Sequence, residues 1–333
     1  MLLCPAAQHA VGLLAAVGAL SVRRAAAIGL PYERSMPARL ADAVNLTVQL
    51  MRSGAYEQTV CAPAQRLGER PPTHRMKLVG TTCEAWLNRD MLSVLAHVLS
   101  PRMVALEWSA GSGSLWTLPR VRQLHSVEHC PAWLASVSKR LRRSMPQLWR
   151  RWHPKLVPCR ESAPNACGLP CGQPVGVAGA NWTDYQQYPR RKLRLAVARS
   201  GFDYILVDGR GRNGCVRETL LPGMLRLDYG VLVLDNADRW RYDFSTAKVP
   251  AHWLVVSFRN EVQETALWMT CPSRHDLHCA QARAEIRESL RLVARFVGPH
   301  YTRREGSLSR SAGGEHGRAR VGLPAKKNCI PNP

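Results

Sequence analysis

Acidic residues are scarce in this chain: 24 Asp and Glu stand against 46 Lys and Arg in 333 residues, a formal charge of +22. Such a field favours anionic partners, whether nucleic acid, acidic polysaccharide, anionic lipid or a phosphorylated substrate. It does not choose among them, because an arginine-biased proteome yields the same balance. Long apolar runs are also missing. The longest in the leader, Val11 to Leu20, is too short for a firm membrane span. No Cys-x-x-Cys occurs, which argues against a redox dithiol, and Cys167 and Cys171 lack a second ligand pair at zinc spacing. The dinucleotide fingerprint is absent as well. Gly111 and Gly113 are followed by Trp116 where its third glycine belongs, which disfavours a nicotinamide dehydrogenase.

What is present falls into four stretches. Residues 1–30 combine the apolar run with Arg23 and Arg24 behind it, and no acid precedes Glu33. That order suits a transit peptide or short signal-anchor as well as a secretory leader. Two sequons, Asn45-Leu-Thr and Asn181-Trp-Thr, agree with a secretory or Golgi route; chloroplast or mitochondrion is the alternative. The 11 cysteines cannot all pair internally unless one, such as Cys4, leaves with the leader, and Cys271 with Cys279 is one candidate pair. Residues 31–75 form an extension with a helix expected over Met36–Met51. A helix is expected over Thr81–Leu99, with Thr81 and Glu84 fitting a capping box and Pro101 ending it.

The main domain is expected over 76–271, with a Cys- and Pro-rich insertion around 159–180. Its first strand runs from Met103 to Glu107 and meets a Gly/Ser turn through Ser109, Gly111 and Gly113. Such a turn lets backbone N–H groups approach a ligand closely. A second strand ends in Glu128, placed to accept hydrogen bonds from a ribose. A basic segment from Lys139 to Arg160 contains no acid; Trp149 and Trp152 interrupt it, and either a solvated helix face or an anion-facing lip fits. A third strand is expected within His153–Cys159, and an Arg-rich helix over Arg190–Arg199. Phe202–Asp208 and Tyr229–Asp235 read as buried parallel strands, each ending in an acid, with a crossover helix over Val216–Leu227 bent by Pro222. Trp253–Phe258 and Thr265–Thr270 read as an antiparallel edge hairpin. Beyond Pro272 a helix is expected over Gln281–Phe296, and the tail to 333 offers little to bury. In open α/β sheets ligands bind beyond the C-terminal strand ends, so Glu107, Glu128, Asp208 and Asp235 converge on one edge.

These blocks resemble the class I S-adenosylmethionine-dependent methyltransferases. The residues that carry the likeness are L-E-W-S-A-G-S-G-S-L-W (Leu106–Trp116), S-V-E-H (Ser126–His129), F-D-Y-I-L-V-D-G-R (Phe202–Arg210) and V-L-V-L-D-N (Val231–Asn236). The resemblance implies a Rossmann-like α/β fold, a seven-stranded, mostly parallel sheet with a C-terminal antiparallel edge hairpin. It implies S-adenosyl-L-methionine as cofactor, held by Glu107, Ser109, Gly111, Gly113 and Glu128. Ser109 departs from the pattern, standing where many members carry glycine; its Cβ narrows the turn if φ there is positive.

Asp208, Asp235 and Asn236 resemble the metal triad of the catechol-type O-methyltransferases, which implies Mg²⁺ or another divalent ion and places Asp208 in catalysis. Arg210 and Arg212 are candidates for an anionic substrate or for pairing with local acids. The implied activity is methyl transfer to oxygen of a small molecule or glycan, with an acidic glycan as one acceptor. Nucleic acid is the less favoured partner: Asp208-Gly-Arg-Gly stands where base-amino methyltransferases carry N/D-P-P-Y/F. Protein methylation and a non-catalytic nucleoside-binding role remain the alternatives. Membrane anchoring would rest on the N-terminal segment alone.

Overall fold

The computed structural model describes residues 35–53, 87–158, 160–161, 180–193, 200–239, 242, 246–259 and 263–297. The leader, the Thr81–Glu84 capping box, residues 159 and 162–179 of the Cys- and Pro-rich insertion and the tail after Arg303 lie outside these residues, as do 194–199 of the expected Arg-rich helix. Among the described residues no helix is long and apolar enough to cross a membrane.

Seven strands form one sheet: β1 Val104–Trp108, β2 Gln123–Glu128, β3 Trp152–Leu156, β4 Tyr204–Val207, β5 Val231–Asp235, β6 Leu254–Arg259 and β7 Glu264–Met269. Their order is β3-β2-β1-β4-β5-β7-β6. The first five are parallel, and β7 runs antiparallel between β5 and β6. The expected Rossmann-like α/β architecture with its antiparallel edge hairpin is therefore present.

Side chains explain why these segments became central strands. Along β4, Tyr204 and Leu206 enter one core while Ile205 and Val207 enter the other; Val231 and Val233 of β5 oppose Leu232 and Leu234 in the same way. A strand buried on both faces must be apolar at every position, because successive residues point to opposite sides. Burying each such side chain contributes roughly 1.5–3 kcal/mol.

One face carries α1 Met36–Ser53, α2 Arg89–Val98 and α7 Leu277–Val297, and α1 packs against both of the others. Arg39 ties α1 to α2 by donating to the carbonyls of His97 and Val98 at 3.0 and 3.3 Å. Asn88 caps α2, its Oδ1 accepting from Asp90 N at 2.8 Å. That cap sets the helix start at Arg89 rather than Thr81. Cys271 and Cys279 meet at bonding distance where the chain leaves the sheet for α7. Along the sheet connections run α3 Ser112–Thr117, α4 Pro131–Ser144, α5 Thr183–Tyr188 and α6 Arg212–Thr219.

α6 begins four residues before the expected crossover helix and stops short of Pro222. Gly211, at φ 63°, turns the chain into it, and Pro222 lies beyond its end. After α5 the chain passes into one π-type turn at Pro189–Leu193, where Arg190 pairs with Glu218 of α6 at 2.7 Å. The basic segment is anchored at two of its arginines, while Lys139, Arg143, Arg150 and Lys155 are exposed. Arg142 stacks 4.2 Å over the Trp149 ring, Arg151 donates to the carbonyls of Arg122, Leu118 and Val121, and Trp152 is buried. Both sequon asparagines, Asn45 and Asn181, are exposed.

Candidate functional site

Parallel pairing brings the C-terminal ends of β1, β2, β4 and β5 to one edge. Trp108 sits in register with both Val127 and Val207, so the loops after all these strands leave the sheet together. A cavity of about 850 Å³ opens there. Glu107, Ser109, Gly111, Gly113, Asp208, Arg210, Arg212, Asp235 and Asn236 all line it. Glu128 does not.

The β1 side is built from hydroxyls and glycines. Glu107 is 1% exposed, and its Oε1 accepts from Ser126 Oγ at 2.5 Å and from Ser114 Oγ. Ser114 in turn accepts from Gly111 N at 2.9 Å, so the turn and the carboxyl hold one another. The other oxygen, Oε2, has no hydrogen-bond partner among the described residues. Burial pushes this carboxyl up to about 8, despite the opposing serine bonds. An added Cβ at Gly111 or Gly113 would meet no atom closer than 3.9 or 3.5 Å. Among the described residues nothing demands glycine at these two positions, and the space their missing side chains leave belongs to the cavity.

Ser109 adopts φ 83°, the left-handed region that disfavours a Cβ, so the strain anticipated from its identity is real. Its neighbour across the cavity rim is Gly209, also at φ 83°, where a Cβ would stand 2.6 Å from Ser109 Cβ. The serine in the first turn is therefore accommodated by a glycine in the second. This pairing is invisible to a reading of either motif alone.

Glu128 ends β2 as expected but turns toward the backbone. Its Oε2 accepts from Ala110 N at 3.0 Å, and its Oε1 accepts from His129 N and Cys130 N, both at 2.8 Å. His129 Nδ1 lies 2.9 Å from the same Oε1. The His129 ring packs edge-on against Trp182 and Tyr185, with centroids 5.1 and 5.8 Å apart. Trp108 Nε1 donates to the Tyr185 carbonyl at 3.2 Å and fixes α5 beside this cluster. Tyr185 and Tyr188 do not line the cavity; Gln186, between them on α5, does.

The β4–β5 side departs most from the resemblance. Arg212 is 7% exposed and stands among the three residues expected to hold a divalent ion. Its Nη2 donates to Asp208 Oδ1 at 2.6 Å. Its Nη1 donates to Asn236 Oδ1 at 3.2 Å and to the Asp235 carbonyl, and lies 3.6 Å from Asp235 Oδ2. The metal expectation is therefore corrected: a guanidinium supplies the positive charge among Asp208, Asp235 and Asn236. Among the described residues no group of three His, Cys, Asp or Glu could hold an ion. Arg212 also leaves the list of free substrate arginines, because its donors are spent on these partners. Asp208 accepts from Gly209 N at 2.6 Å through the same Oδ1, and no partner is found for its Oδ2 among the described residues. Asp235 accepts from Thr265 Oγ1 at 3.0 Å; burial, with Asp208 nearby, pushes it up to about 7 against the pull of Arg212. Asn236, at φ 53°, donates to Gln263 Oε1 at 3.0 Å.

Trp133, Arg140, Arg217, Arg239 and Tyr242 also line the cavity and were not singled out by sequence as site residues. Helical spacing was the signal available for some. Trp133, Ser136 or Val137, and Arg140 form one stripe of α4, and Asn213 and Arg217 form one stripe of α6. Trp133 Nε1 donates to the Ala110 carbonyl at 2.6 Å, which fastens α4 over the β1 turn.

The strand order and this cavity define a Rossmann-like α/β protein whose ligand space lies at the C-terminal strand edge. No family model matches the chain, and no protein with a curated description matches it in sequence. Among solved structures it is similar to a fibrillarin of Aeropyrum pernix with natively bound S-adenosyl-L-methionine, at 12% identity over 52% of this chain and 67% of that one, TM-score 0.33. It is similar to an rRNA methylase of Streptococcus thermophilus at 8% identity over 53% and 92%, TM-score 0.35. A methyltransferase-like protein of Silicibacter pomeroyi shares 18% identity over 55% and 86%, TM-score 0.33. The fold assignment itself stands on the strand order.

Proposed function

We propose that this chain is an S-adenosylmethionine-dependent methyltransferase acting on an oxygen of a small molecule or glycan. The observation that carries the reading is one cavity with two unlike ends: the glycine cradle and the unpartnered Glu107 Oε2 at one, Asp208 at the other. The cradle fits the cofactor, with Glu107, Ser109, Gly111 and Gly113 holding its amino-acid end. When bound, the cofactor supplies the electrophilic methyl of a sulfonium. Asp208 receives the acceptor hydroxyl. Its Oδ1 is held by Gly209 N and Arg212, which leaves Oδ2 to orient the hydroxyl and take its proton as the oxygen attacks. Arg212 serves here as a positioning residue in place of a metal. Trp133 and Tyr242 help to wall the space against water. The exposed Asn45 and Asn181 fit a secretory or Golgi location.

Titration calorimetry with S-adenosylhomocysteine tests the reading: one molecule bound per chain, with a raised melting temperature, is the expected result. No heat and no thermal shift would remove it. Asp208→Asn is expected to lower transfer to a hydroxyl acceptor by about 10²–10⁴-fold while leaving S-adenosylhomocysteine binding intact.

One observation favours a second reading, a nucleoside-binding protein without catalysis. Ser109 holds a side chain at φ 83° in the turn that faces the cofactor space, where the resemblance carries glycine. Binding of S-adenosylhomocysteine without transfer to any hydroxyl acceptor would select it.

A further inference from the structure

The cavity's charge is unequally distributed. Five arginines line it, Arg140, Arg210, Arg212, Arg217 and Arg239, against three carboxyls, Glu107, Asp208 and Asp235. Arg212 is committed to Asp208 and Asp235 and closes that cluster on itself. Glu107 is buried behind the β1 turn, and its hydrogen-bonded oxygen is turned to Ser114 and Ser126. Arg210, Arg217 and Arg239 are different. Among the described residues none of these three guanidiniums is paired with a carboxylate, and all three border the same space.

They come from three separate pieces of chain: the loop after β4, the exposed side of α6 and the loop after β5. Like charges that line one cavity repel, and an anion bound among them relieves that repulsion. A guanidinium presents a rigid fork of donors that matches phosphate, sulfate or carboxylate oxygens. We propose that Arg210, Arg217 and Arg239 form an oxyanion-binding wall on the β4–β5 side of the cavity, and that the acceptor carries a phosphate, sulfate or carboxylate group beside the reacting oxygen.

The part of this proposal that concerns an acceptor rests on the methyltransferase reading; the anion wall does not. The wall would act by holding the acceptor's charged group while Asp208 receives the hydroxyl. Specificity would then come from the distance between the charge and the hydroxyl on the acceptor. Arg212, paired with Asp208 and 3.6 Å from Asp235, offsets part of the negative charge next to the wall.

Four hexose probes separate the sources of the charge: glucose 6-phosphate, glucose 6-sulfate, glucuronate and neutral glucose. Calorimetry on the full chain, with and without saturating S-adenosylhomocysteine, is expected to show at least one charged probe binding about tenfold or more tighter than glucose. That preference should fall when NaCl rises from 50 to 500 mM. The variant carrying Arg210→Met, Arg217→Met and Arg239→Met is expected to bind the charged probes no better than glucose. Its circular dichroism should match the parent, since these side chains make no described internal ion pair. Equal affinity for glucose and all three charged probes would overturn the wall, as would a charged-probe preference that ignores salt. If the variant fails to fold, the salt series on the parent protein still decides. Charged-probe binding without S-adenosylhomocysteine binding would keep the wall and defeat the methyltransferase reading; the converse would defeat the wall alone.

Discussion

Four carboxyls end neighbouring strands of this sheet, and the two pairs are stabilised by opposite means. On the β1–β2 side Glu107 and Glu128 meet hydroxyls and backbone amides, with no arginine bonded to either carboxyl. On the β4–β5 side Asp208 and Asp235 share one buried guanidinium. Burial raises the Glu107 carboxyl, and the serine donors only partly oppose it, so Glu107 holds its proton to about 8. An arginine cancels charge but fixes geometry, because its fork must reach both acids at once. The same strand-end position thus yields a carboxyl held by hydroxyls on one side and an arginine-held pair on the other, in which burial still pushes Asp235 up to about 7.

The contrast breaks most sharply at Arg212. Arg212→Ala leaves Asp208 and Asp235 facing one another without a cation, and is expected to destabilise the protein by about 3–5 kcal/mol. Adding Asp235→Asn should restore part of that loss; a denaturant melt in which the double variant is no more stable than the single would show that charge is not the cause.

Next in size is the contact between the two turns. Gly209→Ala must place a Cβ 2.6 Å from that of Ser109 at φ 83°, and is expected to cost about 2–4 kcal/mol. Ser109→Gly relieves its own left-handed strain, with an expected gain of about 0.5–1 kcal/mol. In the double variant Gly209→Ala should cost less than it does alone. Additive effects in the thermal melts would mean the turns do not touch as described.

The two glutamates sharpen the comparison. Glu128→Gln puts an amide donor against backbone donors and should cost about 1–3 kcal/mol in a denaturant melt. Glu107→Gln is expected to be nearly neutral at pH 5 and to become relatively stabilising as pH rises. The sign follows from linkage. Glu107 holds its proton in the folded protein up to about 8, against an ordinary value of 4.5, so the folded state binds more protons and stability falls between those values. The glutamine removes that fall. Identical pH profiles for variant and parent would show that Glu107 ionises without penalty.

Much of the fold was legible because a doubly buried strand must be apolar throughout: Tyr204–Val207 and Val231–Asp235 could be read as central strands from composition alone. Helix ends were less legible. Asn88 caps α2, which starts at Arg89, and the φ 63° turn at Gly211 starts α6 early. The cavity was legible as a set of strand-end acids, since parallel strands deliver their C-termini to one edge whatever the side chains.

What each acid does there was decided only in three dimensions. Glu128 looked like a ribose acceptor by its place after β2, yet its oxygens accept from amides of two loops that fold over it. Asp208, Asp235 and Asn236 had the spacing of a metal triad, and Arg212, four residues after Asp208, was read as a partner for acids or substrate. The left-handed turn at Gly211, which opens α6, carries it between them. Sequence by itself determined the sheet, its order of acids and the strained serine at Ser109, because alternation and residue type act within a few residues. Tertiary structure decided which carboxyl is capped, which is paired and which keeps an open oxygen, because those outcomes depend on donors arriving from elements far apart in the chain.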